Sequence, residues 1–163
     1  MAESTQHVGN PWEGVVIAAV PDRLLAGDLV DEIGFLAARA RALGSAHANA
    51  MLAQLELKVR SYSVLAVVCG GSEPSQRELA DFLRLDPSQI VALVDALEQR
   101  GLVSRAADSR DRRSKVIRPT AAGMELYQRA AAAVRTGENR SLAALDGPER
   151  DQLRVLLRKI AFG

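Results

Sequence analysis

Apolar residues recur every three or four positions along most of this chain, which is the pattern of amphipathic helices. The first such stretch begins at Asp22 and reaches about Leu55, with charged residues largely between the apolar ones. A second, shorter helix is predicted from an N-cap at Ser61 to Val68, where a pair of glycines follows. The segment before Asp22 is polar and contains several glycines and prolines, so it predicts an arm that precedes the helices.

Two further helix starts follow close together. Ser75 and Glu78 have the spacing of a capping box at the start of one helix. Asp86 and Pro87 fit the N-cap and the first helical position of the next helix. Only residues 83–85 separate the two helices, which is the spacing expected of a helix-turn-helix.

Beyond Gly101 the hydrophobic period changes from helical to strand-like. Residues 102–105 and 115–118 flank a charged run at 108–113, and this arrangement predicts a β-hairpin with a basic tip. A helix restarts at Pro119 and Thr120 and is predicted to reach about Thr136. The last helix begins in residues 146–149.

The last helix has an apolar stripe at the end of the chain. Its members are Leu153, Leu156, Leu157 and Ile160. A stripe this strong requires a partner surface to cover it.

Composition and charge narrow the class of protein. The 163 residues are 48% hydrophobic and 25% charged, which is typical of an ordinary soluble domain, and the net charge is only +1. Positive charge is nevertheless concentrated between positions 100 and 118, where two acids accompany these basic residues: Arg100, Arg105, Arg110, Arg112, Arg113, Lys115 and Arg118. This stretch is a candidate contact for a polyanion.

Several classes are excluded by what the sequence lacks. A single cysteine, Cys69, cannot form an intramolecular disulfide, and two distant histidines give no zinc-site spacing. No apolar run is long enough for a membrane span, and the N-terminus does not resemble a secretion signal. The sequence offers no candidate for a nucleophile paired with a base, for a catalytic carboxylate pair or for a phosphate-binding loop. We therefore expect a cytoplasmic protein without metal or cofactor that is not an enzyme.

A series of short motifs carries a family resemblance. These are Arg-Glu-Leu-Ala at 77–80, Leu-Asp-Pro-Ser at 85–88, a segment at 93–103 ending Glu-Gln-Arg-Gly-Leu-Val, Asp-Ser-Arg-Asp-Arg-Arg at 108–113 and Pro-Thr-Ala-Ala-Gly at 119–123. In this order and spacing they closely resemble the multiple-antibiotic-resistance regulator (MarR) family. The resemblance covers roughly residues 29–163.

The resemblance implies a mainly α fold with a small β-hairpin wing, in which a winged helix-turn-helix accompanies a helical dimerisation domain. We expect an N-terminal arm at 1–21, a dimerisation region at 22–60 and 120–163, and a DNA-binding lobe at 61–119. A two-fold homodimer presents two recognition helices about one DNA turn apart, roughly 34 Å. The expected partner is therefore double-stranded DNA with a pseudo-palindromic operator.

The second helix of the motif is the expected recognition helix. Positions off its apolar face are candidates for the major groove, namely Ser88, Gln89, Val91, Ala92 and Asp95. Gln89 can pair with an adenine edge, whereas Val91 and Ala92 suit thymine methyl groups. Since the last two are apolar, DNA shape is expected to contribute to specificity.

Further DNA contacts are expected on either side of this helix. The resemblance implies that Arg113 in the wing enters the minor groove and that Asp111 orients it. Phosphate contacts are expected from Arg110, Arg112 and Lys115 in the wing, and from Ser75, Gln76 and Arg77 at the start of the first motif helix.

The resemblance also implies a pocket for a small effector, of phenolic or aromatic carboxylate type, between the dimer helices and the DNA-binding lobe. The candidate lining residues are Arg39, His47, Met51, Tyr62 and Ser63, with Arg39 as the partner of a carboxylate. An ordinary structural role is the alternative for each of them. For Tyr62 that alternative is a core aromatic.

The predicted function is that of a transcriptional regulator, a repressor that an effector releases from its operator by a population shift. One alternative is a redox sensor of the same fold that uses Cys69, although a buried, inert thiol fits its position better. Another is a dimeric interaction module without DNA binding. The weakly polar recognition face favours that module, and Asp111 with Arg113 argues against it.

Overall fold

The computed structural model describes residues 20–108 and 114–163. In chain order the elements are α1 (Asp22–Leu25), a 3-10 turn (Asp28–Asp31), α2 (Ile33–Leu52), a second 3-10 turn (Ala53–Leu55), α3 (Val59–Cys69), α4 (Gln76–Leu83), α5 (Pro87–Gln99), β1 (Val103–Ala107), β2 (Lys115–Pro119), α6 (Ala121–Ser141) and α7 (Gly147–Phe162). The predicted fold class, mainly α with one β-hairpin, is confirmed. No helix in the described ranges combines the length and apolarity needed to cross a bilayer.

Local capping signals predicted helix starts correctly. At α4 the Ser75 side chain accepts from the Glu78 backbone N–H, and the Glu78 carboxylate accepts from the Ser75 N–H, which completes a capping box. Asp146 and Glu149 form a second capping box at α7. Each box satisfies backbone N–H groups that the helix itself leaves without acceptors.

Two helix predictions were wrong at their starts. The helix expected from Asp22 is interrupted, because Gly27 is extended (φ −98°, ψ 157°) and α2 begins only at Ile33. Ser61 does not cap α3, which begins at Val59 after Lys58 in an extended conformation. Lys58 makes no side-chain cap, so burial of the apolar face of α3 determines this helix rather than a capping residue.

The chain divides into two compact units, and Leu52–Thr136 is one of them. Its core is built from α3, α4, α5 and the hairpin, together with the first half of α6. Residues with almost no exposed surface lie on every one of these elements: Val64, Leu65, Val68, Leu79, Ile90, Val94, Leu97, Val103, Ile117 and Ala130. Burial of these side chains holds the helix-turn-helix and the base of the wing together.

The hairpin is antiparallel and pairs Arg105 with Ile117. Next to the Ala107–Lys115 pair that ends the ladder, Asp108 N–H donates to the Ser114 carbonyl over 2.9 Å. On the other side of β2, Ile117 N–H donates to the Pro74 carbonyl over 2.8 Å. The loop before α4 is thereby attached to the wing strand.

The other unit comprises Gly137–Gly163 and the described residues up to Met51. Here α2 and α6 approach closely, because a Cβ placed on Gly137 would lie 3.2 Å from the Cα of Ala48. This packing explains why α6 continues to Ser141, past the expected end at Thr136. Large apolar side chains remain exposed at both ends of the unit: Leu24, Leu25, Leu29, Ile33, Leu36, Val155, Leu156, Leu157, Ile160 and Phe162.

The Thr-x-x-Gly sequence at the start of α6 has a structural explanation. Thr120 donates its hydroxyl to the Gly101 carbonyl (2.7 Å) and accepts from Gly123 N–H (3.0 Å). A Cβ on Gly123 would lie only 1.9 Å from the carbonyl oxygen of Leu102. The start of α6 therefore fits against the turn between α5 and β1 only with glycine at this position.

Gly123→Ala is expected to lower the free energy of unfolding by about 1–3 kcal/mol in urea denaturation, because backbone atoms must move to relieve the contact. This range is the net change, because moving the backbone costs more than the roughly 1 kcal/mol that alanine adds to the stability of a helix interior. Gly44→Ala in α2 is the matched control, since its Cβ would meet only the Ser141 Oγ at 4.0 Å. Unchanged stability of Gly123→Ala would contradict the close packing.

Candidate nucleic-acid interface

Helix α5 has one buried face and one exposed face. Ile90, Val94 and Leu97 are buried in the core of their unit. The residues predicted to meet DNA lie on the rest of the helix surface: Ser88, Gln89, Val91 and Ala92 are exposed, and Asp95 is partly exposed. The structure therefore brings all five together on the accessible side of one helix.

The start of α5 is fixed by Asp86. Its carboxylate accepts from the backbone N–H of Ser88 over 2.8 Å and also from the Ser88 hydroxyl. These hydrogen bonds hold the pKa of Asp86 below its ordinary value. Because the Ser88 hydroxyl donates to this cap, Gln89 is the better placed of the two to donate to a base edge.

The start of α4 supplies a second group of predicted contacts. Ser75 is engaged in the capping box, and its hydroxyl also donates to Glu78 over 2.8 Å. Arg77 extends into solvent beside Asp81, with 4.0 Å between Nε and the carboxylate. An ion pair this exposed is weak, so the guanidinium is available to a phosphate. Gln76 has a different role, because its side chain is held by an arginine from the hairpin.

That arginine is Arg105 in β1. Its Nε donates to the Gln76 side-chain oxygen over 3.0 Å, while its two terminal nitrogens contact Asp95 and Glu98 on α5. The Arg105 backbone N–H also donates to Glu98 over 2.9 Å. The hydrogen bonds with Asp95, followed by those with Glu98, raise the pKa of Arg105 above its ordinary value. One side chain thus connects α4, α5 and the wing.

A second arginine anchors the other end of α5. Arg100 donates to the carbonyl oxygens of Glu56 (2.7 Å) and Leu55 (3.2 Å), in the turn that precedes α3. The start of α5 is therefore fixed by its cap, and its end by a tether to another segment of the same unit.

The wing is described at its base only. Lys115 is exposed at the start of β2, opposite Ala107. Arg110, Asp111, Arg112 and Arg113 lie outside the described residues, so their predicted contacts with DNA stay predictions.

The effector candidates occupy two helices. Arg39, His47 and Met51 lie on α2, where Arg39 is exposed and Met51 is half-buried. His47 is buried, with Nδ1 3.1 Å from the Leu43 carbonyl oxygen one turn earlier. These three lie in the unit that contains α7. Tyr62 and Ser63 belong to the other unit, Leu52–Thr136.

The two candidates on α3 have structural contacts. Tyr62 stacks on Tyr127 of α6, with ring centroids 6.3 Å apart and 23° between planes, and both pack against the core. Ser63 donates its hydroxyl to the Val59 carbonyl of its own helix over 2.9 Å. Tyr62 therefore contributes to packing whether or not it contacts a ligand, and Tyr127 is a neighbour that sequence reasoning missed.

Cys69 lies at the end of α3, with Sγ 3.9 Å from the carbonyl oxygen of Gly123. Burial raises the pKa of its thiol above the ordinary value. Reactive cysteines depend on the opposite, an accessible thiol with a lowered pKa. These properties favour an inert thiol over a redox sensor.

Comparison with known proteins decides the family. The family model for MarR matches residues 55–114. The HTH-type transcriptional repressor Rv2887 of Mycobacterium tuberculosis is 30% identical over 128 residues, which are 78% of this chain and 92% of the relative. The chain belongs to the MarR family.

Solved MarR structures agree with the fold. A MarR-family transcriptional regulator from Rhodococcus sp. RHA1 is 41% identical, with a TM-score of 0.79 over 84% of this chain and 97% of that one. CouR from Rhodococcus jostii RHA1, bound to p-coumaroyl-CoA, is 42% identical, with a TM-score of 0.76 over 84% of this chain and 96% of that one. Rv2887 in complex with p-aminosalicylic acid is 29% identical, with a TM-score of 0.68 over 79% of this chain and 98% of that one. The hairpin of this chain is therefore the wing of a MarR-family winged helix.

Among the residues of this MarR-family chain that sequence reasoning missed, Arg105 makes the largest set of contacts. In the sequence, Arg105 stands out only as one member of the basic stretch at 100–118. Two signals were present in the sequence: Arg105 follows buried Val103 at the strand period of two, and Asp95 and Glu98 lie one helical turn apart. An inward-facing arginine near an acidic pair predicts an ion pair.

Asp86→Asn tests the cap of α5. Asparagine caps helices as well as aspartate does, so the melting temperature at neutral pH is expected to change little. Since the pKa of Asp86 is lowered in the folded state, its ionised form contributes stability above the unfolded pKa and loses this contribution as pH falls below about 4. The variant should therefore show a shallower acid-side decrease in melting temperature. Parallel curves for variant and wild type would contradict the cap.

Proposed function

We propose that this MarR-family protein is a DNA-binding repressor that acts as a homodimer on a pseudo-palindromic operator and is released by a small aromatic effector. The observation that carries the proposal is the way in which α5 is held in its unit. Its apolar face is buried, its start and end are both anchored, and its free face presents Gln89, Val91 and Ala92. A rigid helix with an accessible face of this kind suits the major groove.

Only a few residues of α5 would recognise bases directly. Gln89 can form two hydrogen bonds with an adenine, while Val91 and Ala92 can contact thymine methyl groups. Arg113 in the minor groove, oriented by Asp111, and the basic residues Arg110, Arg112 and Lys115 would add affinity with little sequence discrimination. At the start of α4, Arg77 would fix the register on the phosphates, and the amide nitrogen of Gln76 could add a donor while its oxygen accepts from Arg105. The Ser75 hydroxyl stays in the capping box. The operator is expected to be rich in A·T pairs at the positions that α5 faces.

The homodimer is supported by the apolar surface of α7 and of the segment that begins the described chain. A groove of about 240 Å³ beside α7 has an apolar floor rimmed by charged side chains, and its lining is Leu142, Leu153, Leu157, Ala161 and Phe162 with Glu138, Arg150, Arg154 and Arg158. Exposed apolar surface of this extent is typical of a protein–protein interface. A second copy of the chain is the partner that a two-fold operator requires.

The effector class is supported by the ligands of the relatives. CouR binds p-coumaroyl-CoA, and Rv2887 binds p-aminosalicylic acid. Both ligands carry a substituted aromatic ring with an acyl or carboxyl group. Arg39 is an exposed cation on α2 that could pair with such a group, and His47, Met51, Tyr62 and Ser63 remain the proposed lining.

Arg113→Ala tests the DNA-binding function. In fluorescence anisotropy titrations with the intergenic DNA upstream of the protein's own gene, the variant is expected to lose about 1–3 kcal/mol of binding free energy. Wild-type binding should weaken as salt increases, because phosphate contacts release counterions. p-Coumaroyl-CoA and p-aminosalicylic acid are the effector probes, and release by either should weaken binding by roughly 5- to 150-fold.

Arg129→Ala is the matched control, because Arg129 is an exposed arginine on α6, outside the proposed interface. If wild type and Arg113→Ala have the same affinity, and neither prefers the intergenic DNA to a random duplex, the interaction module without DNA binding is favoured instead. Release by peroxide, but not by the aromatic probes, would favour a sensor based on Cys69.

Ile160→Asp tests the homodimer. Ile160 is 76% exposed on α7, and a charge there must be buried when two chains associate. Sedimentation equilibrium is expected to show a dimer dissociation constant raised by roughly 100-fold, because a two-fold interface contains the substitution twice. Met124→Asp, an exposed apolar position on α6 in the other unit, should leave association unchanged. An unaltered dimer in Ile160→Asp would place the interface elsewhere.

A further inference from the structure

The contacts that Arg105 makes with α5 change the charge that this helix would present to DNA. We propose that Arg105 is a positioning residue for DNA binding, which acts by neutralising the carboxylate of Asp95 on the DNA-facing side of α5. This inference rests on the proposed DNA-binding function. It assigns Asp95 a role different from reading a base.

The Arg105 guanidinium is surrounded by acceptors from its own unit, Leu52–Thr136. Arg105 reaches three acceptors on two helices, Asp95 and Glu98 on α5 and Gln76 on α4. Its side chain is only 20% exposed, whereas that of Asp95 is 48% exposed. The arginine therefore lies beneath the surface and the carboxylate faces outward. Arg105 is poorly placed to contact phosphate directly.

The position of Asp95 makes its charge important. It lies three residues after Ala92 and four after Val91, so all three share one side of α5. A carboxylate on that side would face the phosphates at close range and would be repelled by them. An ion pair with Arg105 removes most of this repulsion without placing a positive charge at the surface.

Two roles for Asp95 can be distinguished by chemistry. A free carboxylate can accept from the N4 amino group of cytosine and thereby select a C·G pair. The contact with Arg105 instead occupies Asp95 within the protein. If Asp95 read cytosine, Asp95→Asn would change the preferred base. If Arg105 neutralises it, Asp95→Asn should leave the preference intact and should compensate for loss of the arginine.

The same side chain also connects the wing to α5. Arg105 is the third residue of β1, which ends at Ala107. Glu98 contacts both the guanidinium and the backbone N–H of Arg105, so α5 and β1 are held together at this point by main chain and side chain. The acceptor on α4, Gln76, extends this connection to the predicted phosphate-binding helix start.

The experiment compares Arg105→Gln, Asp95→Asn and the double variant in the full-length protein. Duplexes are first selected from a random pool with wild type and, separately, with Asp95→Asn, which gives the base preference of each. Affinities for the duplex selected by wild type are then measured by fluorescence anisotropy. Arg105→Gln is expected to weaken binding by roughly 10- to 100-fold, because the Asp95 carboxylate then faces the phosphates without a compensating positive charge. Asp95→Asn should change affinity by less than about threefold, and the double variant should recover most of the loss.

Arg105→Lys separates charge from shape, because lysine keeps the positive charge but lacks the fork that reaches three acceptors. Neutralisation predicts that Arg105→Lys retains most of the affinity. A merely structural role predicts that it is as weak as Arg105→Gln. Circular dichroism melting of each variant identifies any that fails to fold. If Arg105→Gln does not fold, Arg105→Lys and Asp95→Asn carry the test, because both are expected to bind the selected duplex nearly as well as wild type and a large loss of affinity in Arg105→Lys would overturn the proposal. Arg129→Gln controls for the loss of one positive charge.

Three results would overturn the proposal. A double variant as weak as Arg105→Gln would show that Asp95 is not the group that Arg105 neutralises. Loss of a cytosine preference in Asp95→Asn would assign Asp95 to base reading. Wild-type protein that selects no duplex would remove the proposed function and this role with it, whereas the first two results leave the proposed function intact.

Discussion

Burial of one face of α5 is the interaction on which the winged-helix unit, Leu52–Thr136, depends. Ile90, Val94 and Leu97 lose almost all contact with solvent, and the helix is too short to be stable by itself in water. The apolar contacts with its neighbours therefore determine both that the helix forms and which side of it remains free. The polar contacts of α5 adjust a helix whose orientation is already determined by hydrophobic burial.

Polar contacts then remove the remaining freedom of that helix. The Asp86 cap defines its first turn, Arg100 attaches its end to the turn before α3, and Arg105 attaches its acidic side to the wing. Each is a charge-assisted hydrogen bond, which is stronger and more directional than a bond between neutral groups. Such contacts suit a protein whose affinity depends on presenting a few side chains at a fixed angle.

The sequence allowed prediction of features whose causes are local. Capping boxes and the Asp86–Pro87 start depend on residues within four positions of one another, and the hairpin follows from its alternation. The interruption near Gly27 was missed because apolar residues continue at helical spacing through a segment that is not one helix. The contacts of Arg105 with Gln76 and of Arg100 with Glu56 join residues 29 and 44 positions apart, and no local pattern indicates such pairs. The site residues on α5 could be placed on its free face from periodicity, and the strand period hinted at the Arg105–Asp95 ion pair, but the link through Gln76 to α4 could not be predicted.

The hydrogen bond from Ile117 to Pro74 has a consequence for the behaviour of the protein in solution. A hairpin that must project from the surface offers unpaired strand edges, and such edges recruit strands from other chains. Here the free edge of β2 is occupied at its centre by the carbonyl of Pro74, and proline has no N–H with which to continue a ladder. Beside it, Glu73 pairs with Arg118 over 2.8 Å and adds charge to the same edge. The wing can therefore stay accessible without becoming a template for aggregation.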